Sequence, residues 1–244
     1  MASGSANGIA GLTGRSDAYH RAFDVVASGL LALITLPVVA VALLVSATTL
    51  RAWPLFWHYR VGRKGELFRF VKVRTLPRSA PSYIDKKQLD THRIPRLCRL
   101  LRALHLDELP QLYLVLAGRM SLVGPRPEMR WLHERMPGSF ATERTSVRPG
   151  CTGLWQVSEA CTDLIGASPE YDLYYLAHRS LRLDLWLLYR TVLKMTRLAG
   201  CISLQQVPAW TAAPASRLAE VDTLDFRPGG GGADAMAAPA SADR

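Results

Sequence analysis

LHLDELPQLYLVLAGRMSLVGPRPE, residues 104–128, is the stretch on which the reading of the fold turns. It opens on two adjacent carboxylates, Asp107 and Glu108, runs through an apolar segment and ends in a Gly-Pro-Arg-Pro turn. Pro110 has no N–H to contribute and fits the first turn of a helix, which puts Asp107 and Glu108 at that helix's N-terminus. There the macrodipole favours ionised carboxylates, and Leu109, Leu112 and Leu116 can bury the helix flank. A charged carboxylate can act as a nucleophile or hold a hard cation such as Mg2+. Acid at one end and Arg126 at the other suggest a phosphate site. Taken alone, Asp-Glu ahead of a helix is equally a solvated capping arrangement.

The wider wording is more specific. LDELPQL, residues 106–112, followed by MSLVGPRPE, residues 120–128, closely resembles the bacterial sugar transferases, the monotopic phosphoglycosyl transferases that act on polyprenol phosphate. The resemblance extends over roughly residues 20 to 200. Longer members of the family carry further membrane spans and another domain ahead of this core, and neither is expected here.

Upstream, Val25 to Leu50 contains no charged residue, which is long enough for a membrane helix. Pro37 interrupts it after the twelve residues from Val25 to Leu36. At about 1.5 Å per residue these cannot cross a hydrocarbon core of about 30 Å. Basic residues stand on both sides, Arg15 and Arg21 before and Arg51, Arg60, Arg63 and Lys64 after, which favours both ends being cytoplasmic. The resemblance implies the same, a re-entrant helix broken at a Ser-Pro pair. Here the Pro is Pro37 and the Ser is replaced by Leu36, with Thr35 available to satisfy freed carbonyls.

Between this segment and Asp107, Trp53, Phe56, Trp57 and Tyr59 suit the headgroup layer, and Gly62 and Gly65 bracket a turn leading into a short strand from Leu67 to Val73. Lys72 and Arg74 can be that strand's solvated face. The family's R-x-G-x-x-G and K-x-R-T patterns, met by Arg60, Gly62, Gly65, Lys72, Arg74 and Thr75, imply that Lys72 and Arg74 bind phosphate. Pro77 to Thr91 reads as a loop or mobile lid. Arg93, Arg96, Arg99 and Arg102 then recur every three residues, which places a cationic stripe on a helix that can lie on anionic lipid or on an ordinary core.

Downstream, RTSVRPGCTGLWQVS, residues 144–158, forms a second cationic turn. Exposed N–H groups and a guanidinium there can cradle a phosphate. Its likeness to the family's R-P-G-x-T-G-L-x-Q-V implies that Arg148, Gly150, Thr152 and Gln156 complete the substrate site with Arg126 and Pro127. From Tyr171 to Leu198, at roughly 100° per residue, Arg179, Arg182, Arg190, Lys194 and Arg197 fall within one arc, a basic stripe for a membrane surface or a nucleic acid. Asp184 sits off that stripe among leucines and should be paired with a basic residue of another segment.

The 244 residues are 49% hydrophobic, enough for one domain and a sizeable core, and a net charge of +10 asks for an anionic partner. The four cysteines, Cys98, Cys151, Cys161 and Cys201, are scattered without metal-ligand spacing and read as reduced thiols.

The expected fold is α+β and mainly helical. A re-entrant membrane helix hairpin and amphipathic interfacial helices surround a small cytoplasmic catalytic core with a short β-hairpin. The expected divisions are a disordered leader over 1–18, a membrane-embedded helix over 19–52, the catalytic core over 53–204 and a disordered tail over 205–244. The resemblance implies transfer of a sugar 1-phosphate from a UDP-sugar to polyprenol (undecaprenyl) phosphate, with release of UMP. Asp107 is then the nucleophile that forms an aspartyl-phosphosugar, and Glu108 the Mg2+ ligand. The expected setting is the cytoplasmic face of the bacterial inner membrane, among membrane lipids. A second copy of the chain is allowed as a partner and nucleic acid is not expected. Two other classes stand against this one. The first is a catalytically silent scaffold of a polysaccharide assembly complex, suggested by the departures at Leu36, Leu104, His105 and Arg119. The second is a basic membrane-associated or nucleic-acid-binding protein.

Overall fold

The computed structural model describes residues 5–80 and 94–212, with side chains from Asp17 onward, and these lie in one compact unit. Helix dominates, joined by two small sheets. Helix α1 (Ser5–Leu50) begins inside the stretch read as a leader and continues through Pro37. Its buried residues are His20, Asp24, Ser28, Ala32, Val39, Ala42 and Ser46, recurring at the spacing of one helical face. That face is polar at both ends and small in the middle. Val26, Leu30, Leu33, Ile34, Val41 and Leu44 point outward and are mostly exposed. A helix packed on a core in water has the opposite polarity. Apolar outside and polar inside suits hydrocarbon, and Asp17–Leu50 is long and apolar enough to cross a membrane. Thr35 Oγ1 donates to Leu31 O (2.7 Å). The carbonyl that Pro37 deprives of its helical donor is that of Leu33, so Thr35 does not fill the role expected of it.

Strands β1 (Leu55–Val61) and β2 (Leu67–Val73) form the expected hairpin, antiparallel with Leu55 opposite Val73 and Val61 opposite Leu67. The turn needs two left-handed residues, Lys64 (φ 57°) and Gly65 (φ 78°), and glycine takes that conformation without a Cβ penalty. Phe68 and Phe70 alternate into the main core, while Val73, on the other face, packs against Ala42 and Leu101. Helix α2 (Arg96–Ala103) buries Cys98 and Leu101, while Leu97, Leu100 and Leu104 are each about half exposed. Arg96 and Arg99 face outward, Arg102 turns in to donate to Thr75 Oγ1 (3.2 Å), and Arg93 lies outside the described residues.

Asp107 and Glu108 occupy a separate 3-10 turn, Leu106–Glu108, entered through left-handed His105. Pro110 is the residue before helix α3 (Gln111–Leu116), not inside its first turn, so the carboxylates stand further from the helix than expected. Arg21 of α1 donates to Val115 O (2.6 Å), which also accepts from Gly118 N (2.9 Å), and to Leu116 O (2.9 Å), placing a cation at the C-terminal end of α3.

Strand β3 (Ser121–Val123) leads through the Gly-Pro-Arg-Pro turn to α4 (Arg130–His133) and α5 (Gly138–Arg144). Strand β4 (Gly150–Thr152) then pairs with β3 in parallel, Ser121 opposite Gly150 and Val123 opposite Thr152. Helices α6 (Leu154–Val157), α7 (Pro169–His178) and α8 (Leu181–Met195) complete the core around Tyr175, Leu183, Leu187, Met120 and Leu154. Thr211 and Val207 are also buried, so the chain stays packed beyond residue 204. Residues 213–244, the greater part of the expected tail, lie outside the described residues.

The basic arc expected over residues 179–197 is shortened: Arg182, Arg190 and Lys194 lie on α8, while Arg179 precedes the helix and Arg197 follows it in a left-handed conformation. The chain leaves helix at Arg179 and restarts at Ser180, whose Oγ caps α8 by accepting from Leu183 N (3.1 Å). Arg179 reaches Asp17 of α1 (2.6 Å), Arg190 donates to Gly200 O and Lys194 to Gln156 O. Asp184 is paired as expected, with His20 Nε2 at 3.4 Å, and it accepts from Tyr175 OH (2.9 Å).

Candidate active site

Three pieces of chain distant in sequence bring their charges together: β2 supplies Lys72, the 3-10 turn supplies Asp107 and Glu108, and the Gly-Pro-Arg-Pro turn supplies Arg126. Lys72 Nζ donates to Glu108 Oε1 (2.6 Å) and Gln111 Nε2 donates to Glu108 Oε2 (3.0 Å). Burial alone would raise the Glu108 carboxyl, but Lys72, Arg126 and these hydrogen bonds outweigh it and hold the group down at about 2. Asp107 is treated in the opposite way. It is buried, and burial together with the neighbouring Glu108 charge pushes its carboxyl up, against the pull of Lys72, Arg102 and His105. The helix-dipole expectation for Asp107 therefore fails: α3 begins too late, and desolvation wins. The pair is not a helix cap either, since no side chain caps α3.

The Lys72 ammonium is itself pushed down by burial, with Glu108 opposing and Arg126 adding to the shift. His58 on β1 faces the same cations. Burial first, then Arg60, Lys72 and Arg126, depress its imidazole to about 3, so it is neutral and accepts from Arg60 Nε (2.5 Å).

The two turns carrying the expected phosphate groups are zipped together through backbone. Gly124 N donates to Thr152 O (2.9 Å), Gly150 N to Pro125 O (2.9 Å) and Ser121 N to Pro149 O (2.8 Å). This approach is open only to glycine: a Cβ on Gly150 would lie 2.1 Å from Gly124 N, and one on Gly153 2.2 Å from Gly124 O. The Arg126 backbone is held further by buried Arg144, which donates to Arg126 O (2.8 Å) while paired with Asp172 (3.0 Å). Arg60 donates to Pro127 O (3.1 Å) and lies 3.5 Å from Glu128, fixing the other end of the turn.

The remaining expected site residues are placed differently. Arg74 donates to Trp53 O (2.9 Å) and lies over Phe56, at the exit of α1. Arg148 donates to Gly118 O (3.0 Å), and the charges acting on it are Arg63, Arg21, Asp17 and Asp24, not the carboxylates of the 3-10 turn. Thr152 Oγ1 shares a hydrogen bond with Thr191 on α8 (2.7 Å), and Gln156 Nε2 donates to Cys151 O (2.8 Å). Gly150, Thr152 and Gln156 thus build the wall behind the Arg126 turn. His58, Arg102, Gln111 and Arg144 were not singled out as site residues in the sequence. Gln111 stands three residues after Glu108, a helical spacing that signals contact, whereas nothing local announces the other three.

Among the described residues no group of three or more His, Cys, Asp and Glu side chains converges. An ionised carboxylate such as Glu108 suits Mg2+, which is commonly held by one or two carboxylates with substrate phosphates completing the shell.

Comparison with known proteins matches this arrangement to one family. Residues 15–198 match the family described as bacterial sugar transferase. The chain is 36% identical over 186 residues to the UDP-glucose:undecaprenyl-phosphate glucose-1-phosphate transferase of Caulobacter vibrioides, covering 72% of this chain and 69% of that protein. It is 33% identical over 189 residues to the UDP-galactose-lipid carrier transferase of Erwinia amylovora, covering 70% of this chain and 39% of that one. It is 34% identical over 192 residues to the undecaprenyl-phosphate glucose phosphotransferase of Komagataeibacter xylinus, covering 70% of this chain and 35% of the other. The chain thus spans little more than a third of the last two relatives. The matched residues carry both turns, the carboxylate pair and most of α1, and the chain belongs to the bacterial sugar transferase family.

Proposed function

We propose that the protein transfers a sugar 1-phosphate from a UDP-sugar to polyprenol phosphate. The observation that carries this reading is the divergent treatment of two adjacent carboxylates. Glu108 is kept ionised by Lys72, Arg126 and Gln111, while Asp107 is buried beside it with its carboxyl pushed up. Neighbouring acids whose environments drive them apart are suited to different tasks. Asp107, desolvated and within the field of Lys72 and Arg102, is placed to be the nucleophile. One Asp107 oxygen bonds to the β-phosphorus of the UDP-sugar, the bond from that phosphorus to the bridging oxygen breaks, and UMP leaves. A phosphate oxygen of the polyprenol then attacks the same phosphorus, the bond to Asp107 breaks, and the carboxylate is regenerated with a polyprenol diphosphate sugar as product.

Lys72, which acts on both carboxylates, and Arg126, which acts on Glu108, supply positive charge beside this chemistry, and charge neutralisation with positioning supplies most of the acceleration in phosphoryl transfer. Mg2+ held at Glu108 would offset charge on the diphosphate. Glu108 already satisfies Lys72 and Gln111, so a metal arriving with substrate shares it with them. Names of relatives support the substrates: those of the Caulobacter and Komagataeibacter proteins specify undecaprenyl phosphate.

A re-entrant course for α1, with the core at the cytoplasmic face of the inner membrane, belongs to the same proposal. Its support is that both ends of the apolar segment are tied to one core. Asp17 pairs with Arg63 (2.9 Å) and Arg179 (2.6 Å), and Ser46 Oγ donates to Arg74 O (2.6 Å). A segment delivering its ends to opposite faces of a bilayer would have to break one set of these contacts.

The test is UMP release by the purified full chain with Mg2+ and undecaprenyl phosphate across a panel of UDP-sugars. One or two sugars are expected to turn over, and Asp107→Asn to abolish release. Donor alone should leave a sugar-phosphoryl mass on the peptide containing Asp107. Turnover that survives Asp107→Asn, or no UMP from any donor, overturns the reading.

A further inference from the structure

The four cysteines divide into two kinds. Cys98 is fully buried and burial pushes its thiol up, and Cys151 is driven well above the thiol range by burial together with Glu108 and Asp24. Neither suits reaction with a soluble oxidant, which needs an accessible thiolate. Cys161 and Cys201 differ in placement: Cys161 is half-buried, as Cys151 is, but it has exposed Cys201 as a neighbour, with their Sγ atoms 3.9 Å apart. Lys194 Nζ donates to Cys161 Sγ (3.1 Å), so a cation stands where charge develops on that sulfur as it attacks. The backbone already holds the two segments in register. Ser158 and Ile202 form a parallel bridge, Glu159 N donates to Ile202 O (3.0 Å) and Ile202 N donates to Val157 O (3.1 Å).

We infer that Cys161 and Cys201 form an oxidant-responsive dithiol that closes to an intrachain disulfide with hydrogen peroxide. Closure needs the sulfurs to approach to about 2.05 Å. Side-chain rotation over a backbone already paired can supply that shift. The Cys161 thiolate attacks one peroxide oxygen, the O–O bond breaks, and hydroxide leaves as water after taking a proton, giving a sulfenic acid. The Cys201 sulfur then attacks the Cys161 sulfur, its own proton and the sulfenic hydroxyl leave as a second water, and the disulfide forms. Two thiols lose two electrons and peroxide gains them. The closed bond withdraws Cys161 from Lys194, which also holds Gln156 O (2.7 Å) behind the Arg126 turn.

The experiment treats the full-length protein in detergent with hydrogen peroxide, quenches with N-ethylmaleimide and maps unreduced peptides. A Cys161–Cys201 cross-link within one chain, reversed by dithiothreitol, is expected, with Cys98 and Cys151 alkylated only after unfolding. Cys201→Ser should leave Cys161 as a sulfenic acid that dimedone captures. Lys194→Met should slow cross-linking about tenfold, the size of one charge-assisted hydrogen bond. Cys161 and Cys201 both alkylated after peroxide, a cross-link that joins two chains, or no dimedone on Cys161 in Cys201→Ser overturns the proposal.

Discussion

The opposed environments of Asp107 and Glu108 make a pH prediction at the residue scale. Lys72 is among the groups that pull the Asp107 carboxyl back down, so Lys72→Met removes an attraction and moves it further up. Asp107 must be ionised to attack, so the acidic limb of the kcat/KM profile should shift to higher pH in Lys72→Met, beyond any fall in the plateau. A limb that stays put would mean that another group governs it. Glu108 contributes in the opposite sense to stability. Its carboxyl falls from an ordinary value of 4.5 to about 2, so its contribution is present above pH 4.5 and is lost as pH falls through about 2. The carboxylates themselves were legible in the sequence because their motif is local. Their division of roles was not, because Lys72 stands 36 residues away and burial has no local signal. Arg144 is the clearest case of a residue that sequence could not place. Its guanidinium serves Asp172 and Arg126 O at once, deep in the core. Arg144→Met leaves Asp172 buried without its cation and should cost ~3–5 kcal/mol in thermal or denaturant unfolding. Arg144→Lys keeps the charge but not the fork. It should melt closer to wild type and still lose about tenfold in kcat/KM, because the Arg126 turn is no longer fixed.

At the scale of elements, legibility followed the strength of the local pattern. The β1–β2 hairpin was readable in part because Gly62 and Gly65 bracket its turn and β2 alternates. The parallel β3–β4 pair was not, since three-residue strands have no period to detect and their partners are separated by two helices. The break between α7 and α8 lay under a continuous apolar pattern, yet Ser180 followed by Asp184 in the first turn is an N-terminal signal that outweighed it. The close approach of the two cationic turns gives the sharpest test. Gly150→Ala places a methyl against the Gly124 and Thr152 backbone, at 2.1 Å and 2.4 Å, where no side chain can yield. It should separate β4 from β3, cost at least ~3 kcal/mol and abolish turnover with Asp107 chemically intact. Gly138→Ala at the start of α5 meets nothing within 4 Å and should change stability by less than ~1 kcal/mol. Thermal melting of the two variants side by side separates a packing requirement from a general dislike of substituting glycine.

For the molecule as a whole, the apolar character of α1 was plain in the sequence, and the face by which it docks was hidden. Hydropathy reports what lines the outside of such a helix, whereas docking rests on a few polar atoms turned inward. Asp24 is the chief of these. It is buried, Ser121 Oγ donates to its Oδ2 (2.8 Å) and Leu122 N to its Oδ1 (2.9 Å), so it fixes the membrane helix to the first residues of β3. β3 in turn leads directly into the turn that carries Arg126. Asp24→Ala strips both donors of their acceptor in a site closed to water, at a cost of ~1–3 kcal/mol for each buried group left unpaired. Asp24→Asn keeps one acceptor oxygen and should lose less. The contacts of the other end, Ser46 with Arg74 and Ala42 with Val73 and Leu101, share no partner with Asp24 and should survive. Protease in lipid nanodiscs should therefore cut Asp24→Ala faster before residue 25 and no faster after residue 50, with kcat/KM reduced through the displaced Arg126 turn. Faster cutting at both ends would mean that α1 docks as a single rigid unit. Unchanged cutting with full activity would mean that the lipid, not Asp24, holds the helix in place.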